Sequence, residues 1–457
     1  MSDAPDTIAA VATAPGRGGI GIVRISGSRA DAIAKGIVGR TLAPRVATAT
    51  VFRGSAGEAL DEGLALFFPA PHSYTGEAVL ELHGHGGPTV LRLVLARCVE
   101  LGARLAQPGE FTQRAFLNGK LDLVQAEGVA DLIDAATATA ARAAVRSLSG
   151  EFSRAIEGSV RTLIELRTLV EASLDFPDED IGFVRAADVA GRVGALREGF
   201  DRILRRAAQG ALLREGLVAV LIGRPNVGKS SLLNELAGAD VAIVTPIPGT
   251  TRDTVRSEIE IHGIPLAVVD TAGLRSTEDP IETIGIERTW AAVARANVAI
   301  VMVDAKAAEA GLDAADAQML ARLPSALPRI VVHNKIDLVG LEAKATAPVD
   351  EEGTRHVWLS AKKGEGIELL RREILVQAGA HEDMEDTFLA RERHLSALRA
   401  AGAHLEAAAA HLAARTPPLE LVAEELREAQ SALTTLTGEF TADDLLGEIF
   451  SRFCIGK

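Results

Sequence analysis

The spacing of apolar residues changes character several times along the chain. Up to about residue 113, short apolar runs such as GIGIVRIS, GLALFF and AVLELHGHGG are separated by Gly, Pro and Ser. This pattern predicts strands joined by turns, with one helix at about residues 88–101. From about residue 119 to 213, apolar residues recur every three to five positions, as they do in long helices. The pattern therefore predicts an α+β segment followed by an all-α segment.

From Leu217 onward the pattern becomes an alternation of strand, loop and helix. The runs LVAVLI, LAVVD, VAIVMVD and RIVVHN each end in a polar turn, which predicts an α/β sheet. Helical spacing returns at about residue 385 and continues to the last residues. An inserted domain requires that its two ends lie close together, so we interpret the two helical segments as halves of one domain.

The predicted protein is therefore multidomain. An α+β domain occupies residues 1–118, and the first part of a discontinuous all-α domain occupies 119–213. An inserted α/β domain occupies 214–384, and the second part of the all-α domain occupies 385–457.

Composition narrows the possible function classes. A chain of 457 residues is long enough for several domains, and 47% hydrophobic with 4% aromatic residues predicts cores of Ala, Leu, Val and Ile. A formal net charge of −14 argues against a general polyanion binder, because phosphate affinity comes from clustered Lys and Arg. Cys98 and Cys454 fit no zinc or redox spacing, and no segment has the pattern of a signal peptide or membrane span. We expect a cytoplasmic protein that does not associate with membranes and contacts nucleic acid only locally.

The inserted segment carries a phosphate-binding pattern. GRPNVGKSS, residues 223–231, has the P-loop spacing Gly223-x-x-x-x-Gly228-Lys229-Ser230 between a predicted strand and a predicted helix. In such a loop, backbone N–H groups and the helix N-terminus surround the phosphates. Lys229 supplies a positive charge, and the Ser230 hydroxyl can ligate Mg²⁺.

Three further motifs follow predicted strands. DTAG, residues 270–273, places a carboxylate where it can hold Mg²⁺ through water and a glycine N–H near the last phosphate. NKID, residues 334–337, supplies Asp337, which can accept two hydrogen bonds from guanine and so reject adenine. LSAKKGEG, residues 359–366, supplies the next loop on the guanine side. Together the four motifs resemble those of the GTPase superfamily and predict a Ras-like GTP-binding domain.

The group that orients the attacking water is not identified by these motifs. Ras-like enzymes use a glutamine two residues after the DTAG glycine, and Arg275 occupies that position here. The candidates in the following loop are the acids Glu278, Asp279, Glu282 and Glu287.

Asn226 of the P-loop has two interpretations. Its amide oxygen and the carbonyls of TPIPGTT, residues 245–251, can form an oxygen cage for a monovalent cation in place of an arginine finger. The amide can equally well stabilise the loop itself.

Motifs inside and outside the inserted segment point to one family. Those inside it are GRPNVGKSSLLN, TPIPGTTRD, DTAGLR and IGIER, and those outside it are DTIAAVATAPGRGGIGIVRISG, PGEFTQRAFLNGKLDL and the terminal FCIGK. These motifs resemble the tRNA-modification GTPases called MnmE or TrmE from Thr7 to Lys457. The motifs outside the insert are the specific ones, because GTPases of ribosome assembly share the GTPase module and lack the rest.

The resemblance implies a homodimeric, potassium-dependent GTP hydrolase that works with the FAD-binding protein MnmG in a heterotetramer. The two proteins place a carboxymethylaminomethyl group on C5 of the wobble uridine of certain tRNAs. A tetrahydrofolate derivative, in the 5-formyl or methylene form, supplies the one-carbon unit. The alternative is a regulatory GTPase switch in ribosome assembly that does no chemistry on a base, but such a switch would need neither the N-terminal domain nor FCIGK.

Carried over by motif, the resemblance assigns roles to individual residues of the GTPase domain. Glu282 orients the water, and Lys229 is the catalytic cation. The potassium ligands are Asn226 with the carbonyls of Thr245, Ile247 and Thr250, and the Mg²⁺ ligands are Ser230 and Thr251. The residues placed around GTP are Asn226, Val227, Gly228, Lys229, Ser230, Ser231, Thr245, Pro246, Ile247, Pro248, Gly249, Thr250, Thr251, Asp270, Thr271, Ala272, Gly273, Asn334, Lys335, Asp337, Ser360, Ala361 and Lys362.

The resemblance also implies a tetrahydrofolate site in the N-terminal domain, which serves dimerisation as well. Its residues here are Arg24, Glu81, Lys120 and the terminal Lys457, since a pterin edge suits a carboxylate and a glutamyl tail suits cations. Cys454 is either a packed small side chain or a catalytic or positioning residue beside this pocket.

Two other patterns resemble ligand-binding motifs but are better explained by a structural role. Gly16-x-Gly18-x-x-Gly21 matches a dinucleotide fingerprint, but the run behind it predicts a strand and not a helix. Glu81, His83 and His85 alternate along one strand without a nearby fourth ligand for zinc.

Overall fold

The protein is described by a computed structural model that covers residues 6–175, 188–238, 256–270, 293–308, 321, 323–346, 353–380, 387–438, 449–451, 453 and 456. Contacts divide the chain into two compact units. The first comprises residues 1–130, 147–196 and 400–457, and the second comprises residues 131–146 and 197–399. The domain boundaries expected after residues 118, 213 and 384 stay predictions.

A six-stranded sheet forms the N-terminal part of the first unit. Its strands are β1 (Ile8–Val11), β2 (Gly18–Ser26), β3 (Thr48–Arg53), β4 (Ala59–Phe68), β5 (Val79–Gly86) and β6 (Arg104–Leu105). They lie in the order β3-β4-β5-β2-β1-β6, and all neighbours are antiparallel except β1 and β6. Because the glycine-rich segment leads into β2 and not into a helix, the structure lacks the strand-to-helix turn of a dinucleotide fingerprint there.

Helices cover this sheet and build its core. They are α1 (Ala30–Val38), α2 (Pro88–Glu100) and α3 (Glu110–Leu117), and α2 confirms the helix predicted at about 88–101. Ile33 and Ile37 of α1 share a buried cluster with Phe52 of β3 and Leu80 of β5. Cys98 of α2 is in the same cluster, and burial raises the pKa of its thiol to about 12, so this cysteine is a packing residue.

In the described residues before the insert, the predicted helical spacing corresponds to four helices. They are α4 (Leu123–Asp134), α5 (Ala138–Leu148), α6 (Glu151–Asp175) and α7 (Val189–Glu215).

A seven-stranded sheet is the centre of the second unit. Its strands are β7 (Leu217–Gly223), β8 (Arg256–Ile261), β9 (Ile264–Asp270), β10 (Val298–Asp304), β11 (Arg329–Asn334), β12 (Lys344–Ala345) and β13 (Arg355–Leu359). They lie in the order β12-β13-β11-β10-β7-β9-β8, with antiparallel pairs only at the two edges. The described part of this segment contains the helices α8 (Lys229–Ala237), α9 (Ala305–Ala308) and α10 (Ile367–Gln377).

The central strands are buried on both faces. Leu221, Ile300 and Val332 belong to one apolar cluster, and their sequence neighbours Ile222 and Val301 belong to another. Burial on both faces explains why these strands read as continuous apolar runs. The four strands predicted from those runs are confirmed, and their carboxyl ends meet at one edge of the sheet.

Residues 131–146 also belong to the second unit. The Thr137 hydroxyl donates to the Gly263 carbonyl at the β8–β9 turn (2.8 Å) and accepts from the Ala140 N–H (3.1 Å), as a helix cap does. Asp131 accepts hydrogen bonds from Arg214 (2.9 Å) and Arg391 (2.8 Å) on one carboxylate oxygen. Arg214 is the first residue of the predicted inserted segment and Arg391 follows its end, so one carboxylate joins its entry and its exit.

The described residues after the insert include the helices α11 (Glu392–Leu412) and α12 (Leu419–Thr437). Within the first unit, α12 packs along α6, and Arg167 donates to Gln430 between them (2.8 Å). Farther on, Phe450 and Phe453 share a buried cluster with Leu123 of α4.

Candidate functional site

The predicted nucleotide motifs lie at the carboxyl ends of parallel strands. The P-loop follows β7, the NKID turn follows β11, and the loop that begins at Ser360 follows β13. Ligands of open α/β sheets bind at this edge of the sheet. The fold therefore places three of the four predicted motifs where one nucleotide can contact them all.

The P-loop has the backbone that a phosphate site requires. Asn226 (φ 62°) and Gly228 (φ 105°) both adopt left-handed conformations, and α8 begins directly afterwards at Lys229. The Lys229 ammonium donates to the carbonyls of Gly223 (2.8 Å) and Arg224 (3.4 Å), which holds the charge over its own loop. Ser230 and Ser231 lie in the first turn of α8, and both are exposed. The hydroxyl of Ser230 is a hard oxygen donor and fits a Mg²⁺ ligand at this position.

Asn334 connects the P-loop to the guanine-side loops. Its side-chain amide donates to the Val227 carbonyl (2.7 Å), and its amide oxygen accepts from the Ala361 N–H (2.9 Å). All three residues are buried, so each of these hydrogen bonds satisfies a group that has lost its water. Gly228 is required here as well, because a Cβ at this position would clash with the Asn334 amide.

Asp337 is oriented by the loop that begins at Ser360. The buried Ser360 hydroxyl donates to one Asp337 carboxylate oxygen (2.8 Å), while the Asp337 side chain remains half-buried. Ala361 is buried next to Ser360, and Lys362 is exposed. The arrangement holds a carboxylate at the position expected to recognise a guanine edge.

Lys335 has a partner that the sequence reasoning missed. Its ammonium forms an ion pair of 2.9 Å with Asp304, the last residue of β10. Asp304 obeys the same rule as the predicted residues, since it is a polar residue that ends a buried parallel strand next to β11. The position of Asp304 at the end of an apolar run is the signal that would have identified this residue from the sequence alone.

Several predicted site residues lie outside the described residues. They are Thr245, Pro246, Ile247, Pro248, Gly249, Thr250, Thr251, Thr271, Ala272, Gly273, Glu282, Cys454 and Lys457. The backbone of Asp270 ends β9, two strands from β10, and nothing is described of its side chain. The predicted potassium, water and Mg²⁺ contacts of these residues stay predictions.

A second cluster of predicted residues lies on the N-terminal sheet. Arg24 of β2 faces Glu81 of β5 in register, and its guanidinium donates to Glu81 at 2.9 Å. The other Glu81 oxygen lies 3.1 Å from His83 Nε2, so Glu81 joins a cation to an imidazole. Both members of the Arg24–Glu81 pair are mostly buried, with side-chain exposures of 24% and 17%.

Aromatic rings line the same cluster. The Arg24 guanidinium lies 5.5 Å from the centre of the Tyr74 ring and 5.9 Å from that of Phe111. Burial raises the pKa of Tyr74, whose hydroxyl is hydrogen-bonded to Thr112 (2.8 Å). The sequence reasoning missed both rings: Tyr74 lies in a loop without a motif, and Phe111 lies in PGEFTQRAFLNGKLDL, a motif that identified the family without assigning this ring a role.

Lys120 lies at the border of this cluster. Its ammonium donates to the Pro71 carbonyl (3.3 Å) at the start of the loop that carries Tyr74. Gly456, the residue before Lys457, lies against the Val11 carbonyl at the end of β1. His85 is held by Asp61 at 2.7 Å and not by Glu81 or His83, and the described residues contain no group of three potential metal ligands.

Two family models match successive parts of the chain. The family model described as GTP-binding protein TrmE N-terminus matches residues 7–120. The family model described as MnmE helical domain matches residues 123–454.

Curated relatives match over nearly the whole length. The tRNA modification GTPase MnmE of Thiobacillus denitrificans is 60% identical over 453 residues, which are 99% of this chain and 98% of that protein. The protein of the same description from Dechloromonas aromatica is 59% identical over 452 residues, which are 99% of each chain.

Solved structures are similar over smaller parts. The G-domain of FeoB from Methanococcus jannaschii is 29% identical, covers 36% of this chain and 98% of its own, and has a TM-score of 0.25. Era from Aquifex aeolicus is also 29% identical, covers 41% of this chain and 66% of its own, and has a TM-score of 0.27.

Proposed function

The chain belongs to the MnmE family of tRNA modification GTPases, and from that premise we propose a specific reaction and a specific ion dependence. The protein is a GTP hydrolase with a role in tRNA modification, and the family implies binding of GTP and Mg²⁺. We propose that, with the FAD-dependent protein MnmG, it installs a carboxymethylaminomethyl group on C5 of the wobble uridine. The observation that carries the proposal is the guanine-side site joined by Asn334, in a chain that is similar to MnmE proteins throughout.

The proposed hydrolysis uses charge and position, as other phosphoryl transfers do. Lys229 and the backbone N–H groups at the start of α8 hold the phosphates, while Ser230 and Thr251 ligate Mg²⁺. Bound Mg²⁺ supplies positive charge for the phosphate oxygens. Glu282 orients the attacking water in place of the glutamine of Ras-like enzymes.

A potassium ion is proposed to take the place of an arginine finger. The left-handed Asn226 supports this proposal, because it turns an exposed amide out of the P-loop backbone next to the phosphate-binding turn. In the proposal, the carbonyls of Thr245, Ile247 and Thr250 complete the set of oxygen ligands. Such ligands suit a hard cation, and the charge lies where charge develops in the reaction.

Turnover in two salts tests the potassium proposal. GTP hydrolysis should be faster in potassium than in sodium by on the order of 10³-fold, the effect of an arginine finger. Asn226→Ala should abolish the difference between the salts and leave GTP affinity nearly unchanged, because Lys229 and the loop backbone still hold the phosphates. Equal turnover of the unmutated protein in both salts would assign the charge to an arginine instead, with Arg252 and Arg275 as the nearest candidates.

The N-terminal cluster is the proposed tetrahydrofolate site. The Arg24–Glu81 pair combines a carboxylate for a pterin edge with a cation, and the half-buried Tyr74 adds an aromatic face on which a flat ring can stack. Lys120 and Lys457 are proposed to bind the glutamyl tail. Gly456 beside Val11 supports the placement of the terminal lysine, and of Cys454, near this domain.

Calorimetry tests the folate proposal on the full chain. A 5-formyl or methylene tetrahydrofolate should release heat on binding, and Glu81→Gln should weaken binding by about tenfold or more. Arg40→Ala is the matched control in the same domain, because the Arg40 side chain is exposed and bonds only to the Ala49 carbonyl among the described contacts. Equal weakening by both substitutions would contradict a site at Glu81.

The proposed assembly is a cytoplasmic homodimer that joins MnmG in a heterotetramer and acts on tRNA. In the part of the chain that the structure describes, no helix is both long and apolar enough to cross a membrane.

Nucleoside analysis of tRNA separates the proposed reaction from a regulatory role in ribosome assembly. Deletion of the gene should remove the carboxymethylaminomethyl group from wobble uridines, and the unmutated gene should restore it. Unchanged nucleosides together with altered ribosome profiles would support the regulatory switch.

A further inference from the structure

The ion pair between Lys335 and Asp304 lies beside the guanine-side loops and has no role in the functions assigned above. Asp304 is the last residue of β10 and pairs in register with Asn334 of β11. The two residues that begin the NKID turn are thus held in different directions, Asn334 by the P-loop and the Ser360 loop, and Lys335 by β10.

Lys335 adopts a conformation that a lysine rarely adopts. Its φ is 70°, in the left-handed region, and a short 3-10 helix (Ile336–Leu338) begins directly after it. Residues in such conformations persist where the surrounding structure determines them. The Asp304 contact at 2.9 Å is the described side-chain contact of Lys335, and it acts at the residue whose backbone turns the chain from Asn334 towards Asp337.

Asp304 is itself held in place. One of its oxygens accepts from Lys335, and the other accepts from the backbone N–H of Lys306 at 3.0 Å, in α9. Burial alone would raise the pKa of this carboxyl, but the hydrogen bonds from Lys335 and Lys306 outweigh burial and the pKa is lowered. Asp304 is therefore ionised at neutral pH and anchored to a strand end, as a group that positions another group must be.

We propose that Asp304 is a positioning residue of the guanine-nucleotide site. It holds the ammonium of Lys335 and so keeps the NKID turn in the conformation that presents Asn334 and Asp337 to the base. The inference rests on the assignment of Asp337 to guanine in the proposed function. It concerns recognition of the base and not hydrolysis, so it predicts an effect on affinity that GTP and GDP share.

The test compares Asp304→Asn with a matched control. Glu373→Gln breaks the ion pair of Arg355 with Glu373, which has the same 2.9 Å separation but lies between β13 and α10. Asp304→Asn should weaken GTP and GDP binding equally, by roughly five- to tenfold, and raise KM without lowering kcat. Glu373→Gln should leave both affinities and both kinetic constants unchanged.

The ratio of the affinities for GTP and inosine triphosphate is a measurement that a general loss of stability would not change. Inosine lacks the 2-amino group of guanine, so discrimination between GTP and inosine triphosphate reports how well Asp337 is oriented. Asp304→Asn should reduce this discrimination, and Asp304→Glu, which keeps the charge, should restore part of it. Lys335→Met should act in the same way, and the double variant should be no worse than the weaker-binding single variant.

Each outcome has a distinct meaning. If the unmutated protein does not prefer GTP to inosine triphosphate, the guanine assignment of Asp337 fails and the inference fails with it. If the unmutated protein discriminates but Asp304→Asn behaves as Glu373→Gln does, the proposed function survives and the positioning role is wrong. Should Asp304→Asn melt below the assay temperature, Asp304→Glu and the Lys335→Met comparison decide the question in folded protein.

Discussion

Asn334 and Asp337 show how single side chains assemble a nucleotide site from separate loops. Asn334 uses both halves of its amide to bind backbone groups of other loops, and Asp337 has one oxygen bound by Ser360. The carboxylate that is proposed to recognise the base is therefore oriented before the base arrives. Preorganised groups of this kind lose less entropy on binding.

Replacement of Asp337 by Asn should exchange one base specificity for another. The amide places a donor against the donor edge of guanine, so GTP affinity should fall by about 2 kcal/mol, or roughly thirtyfold. Xanthosine triphosphate, which has an acceptor at that position, should bind the variant better than it binds the unmutated protein. Titration with fluorescent analogues of both nucleotides measures the exchange, and unchanged GTP affinity would contradict the guanine assignment.

His333 of β11 makes stability dependent on pH. It stacks on Trp358, with the ring centres 4.4 Å apart, and lies beside His356, whose ring centre is 5.2 Å away and whose Nδ1 is 2.8 Å from His333 Nε2. Burial, with smaller effects of His356 and Lys344, lowers the pKa of His333 from 6.5 to about 4. Between these values the unfolded chain binds a proton that the folded protein does not bind. The contribution of the neutral, buried His333 to the free energy of unfolding is therefore complete above pH 6.5, and it is lost as the pH falls to 4.

Denaturant unfolding of the full chain at several pH values tests this prediction. The free energy of unfolding should decrease by about 3 kcal/mol between neutral pH and pH 4 through this one group. His333→Gln should make the decrease smaller by that amount, while His411→Gln, in the last turn of α11, should leave it in place. Equal pH dependence in all three proteins would contradict the prediction.

At the scale of elements, α7 shows how one helix tolerates two glycines for different reasons. The buried Gly210 lies against the backbone carbonyl of Phe388, so a Cβ there has no space. Gly194 is exposed, and a Cβ added to it would have no atom within 4 Å. The first glycine allows close approach of two backbones, and the second has no contact that requires it.

Alanine at these two positions should therefore have opposite effects. Gly210→Ala should destabilise the protein by about 1–3 kcal/mol, because it forces two backbones apart. Gly194→Ala should stabilise it by about 0.5–1 kcal/mol, because alanine loses less conformational freedom in a helix. Calorimetric melting of the two variants measures the difference, and a shift of the same sign in both would contradict the argument.

At the scale of the whole molecule, the predicted multidomain architecture with an inserted Ras-like GTPase domain is confirmed by the family membership. The contacts of the second unit extend beyond the boundaries predicted for the insert. Gln209 donates to the Gly379 carbonyl (2.8 Å), and Arg206 lies 4.7 Å from the centre of the Phe388 ring. Chain before the insert therefore packs with it, and the segments before and after the insert pack with each other.

Two fragments test how far the GTPase unit extends. Residues 197–399 include these contacts, whereas the predicted domain at 214–384 lacks Arg206, Gln209 and Phe388. We expect the longer fragment to melt roughly 5 °C higher, since each kcal/mol shifts the melting temperature of a domain of this size by about 2–4 °C. Identical melting curves would support the shorter boundary.

The sequence by itself determined the identity of the motifs and the type of the elements that carry them. The runs VAIVMVD and RIVVHN become β10 and β11 from end to end, and ERHLSALRAAGAHLEAAAAHL becomes α11. A strand that is buried on both faces needs a continuous apolar run, and a helix with one buried face needs apolar residues with a period of 3.6. Both patterns can therefore be recognised in a single sequence. The P-loop, the NKID turn and the Ser360 loop are recognisable for a similar reason, because their chemistry depends on local spacing.

Only the tertiary structure decided which residues meet across long intervals. Arg24 reaches Glu81, Tyr74 and Phe111, Lys335 reaches Asp304, and Asp131 reaches both Arg214 and Arg391. Register, strand order and helix docking bring these partners together, and they arise from the packing of many residues at once. A period or a motif records the surroundings of neighbouring residues only, so the sequence predicted the nucleotide loops and missed the carboxylate that holds one of them.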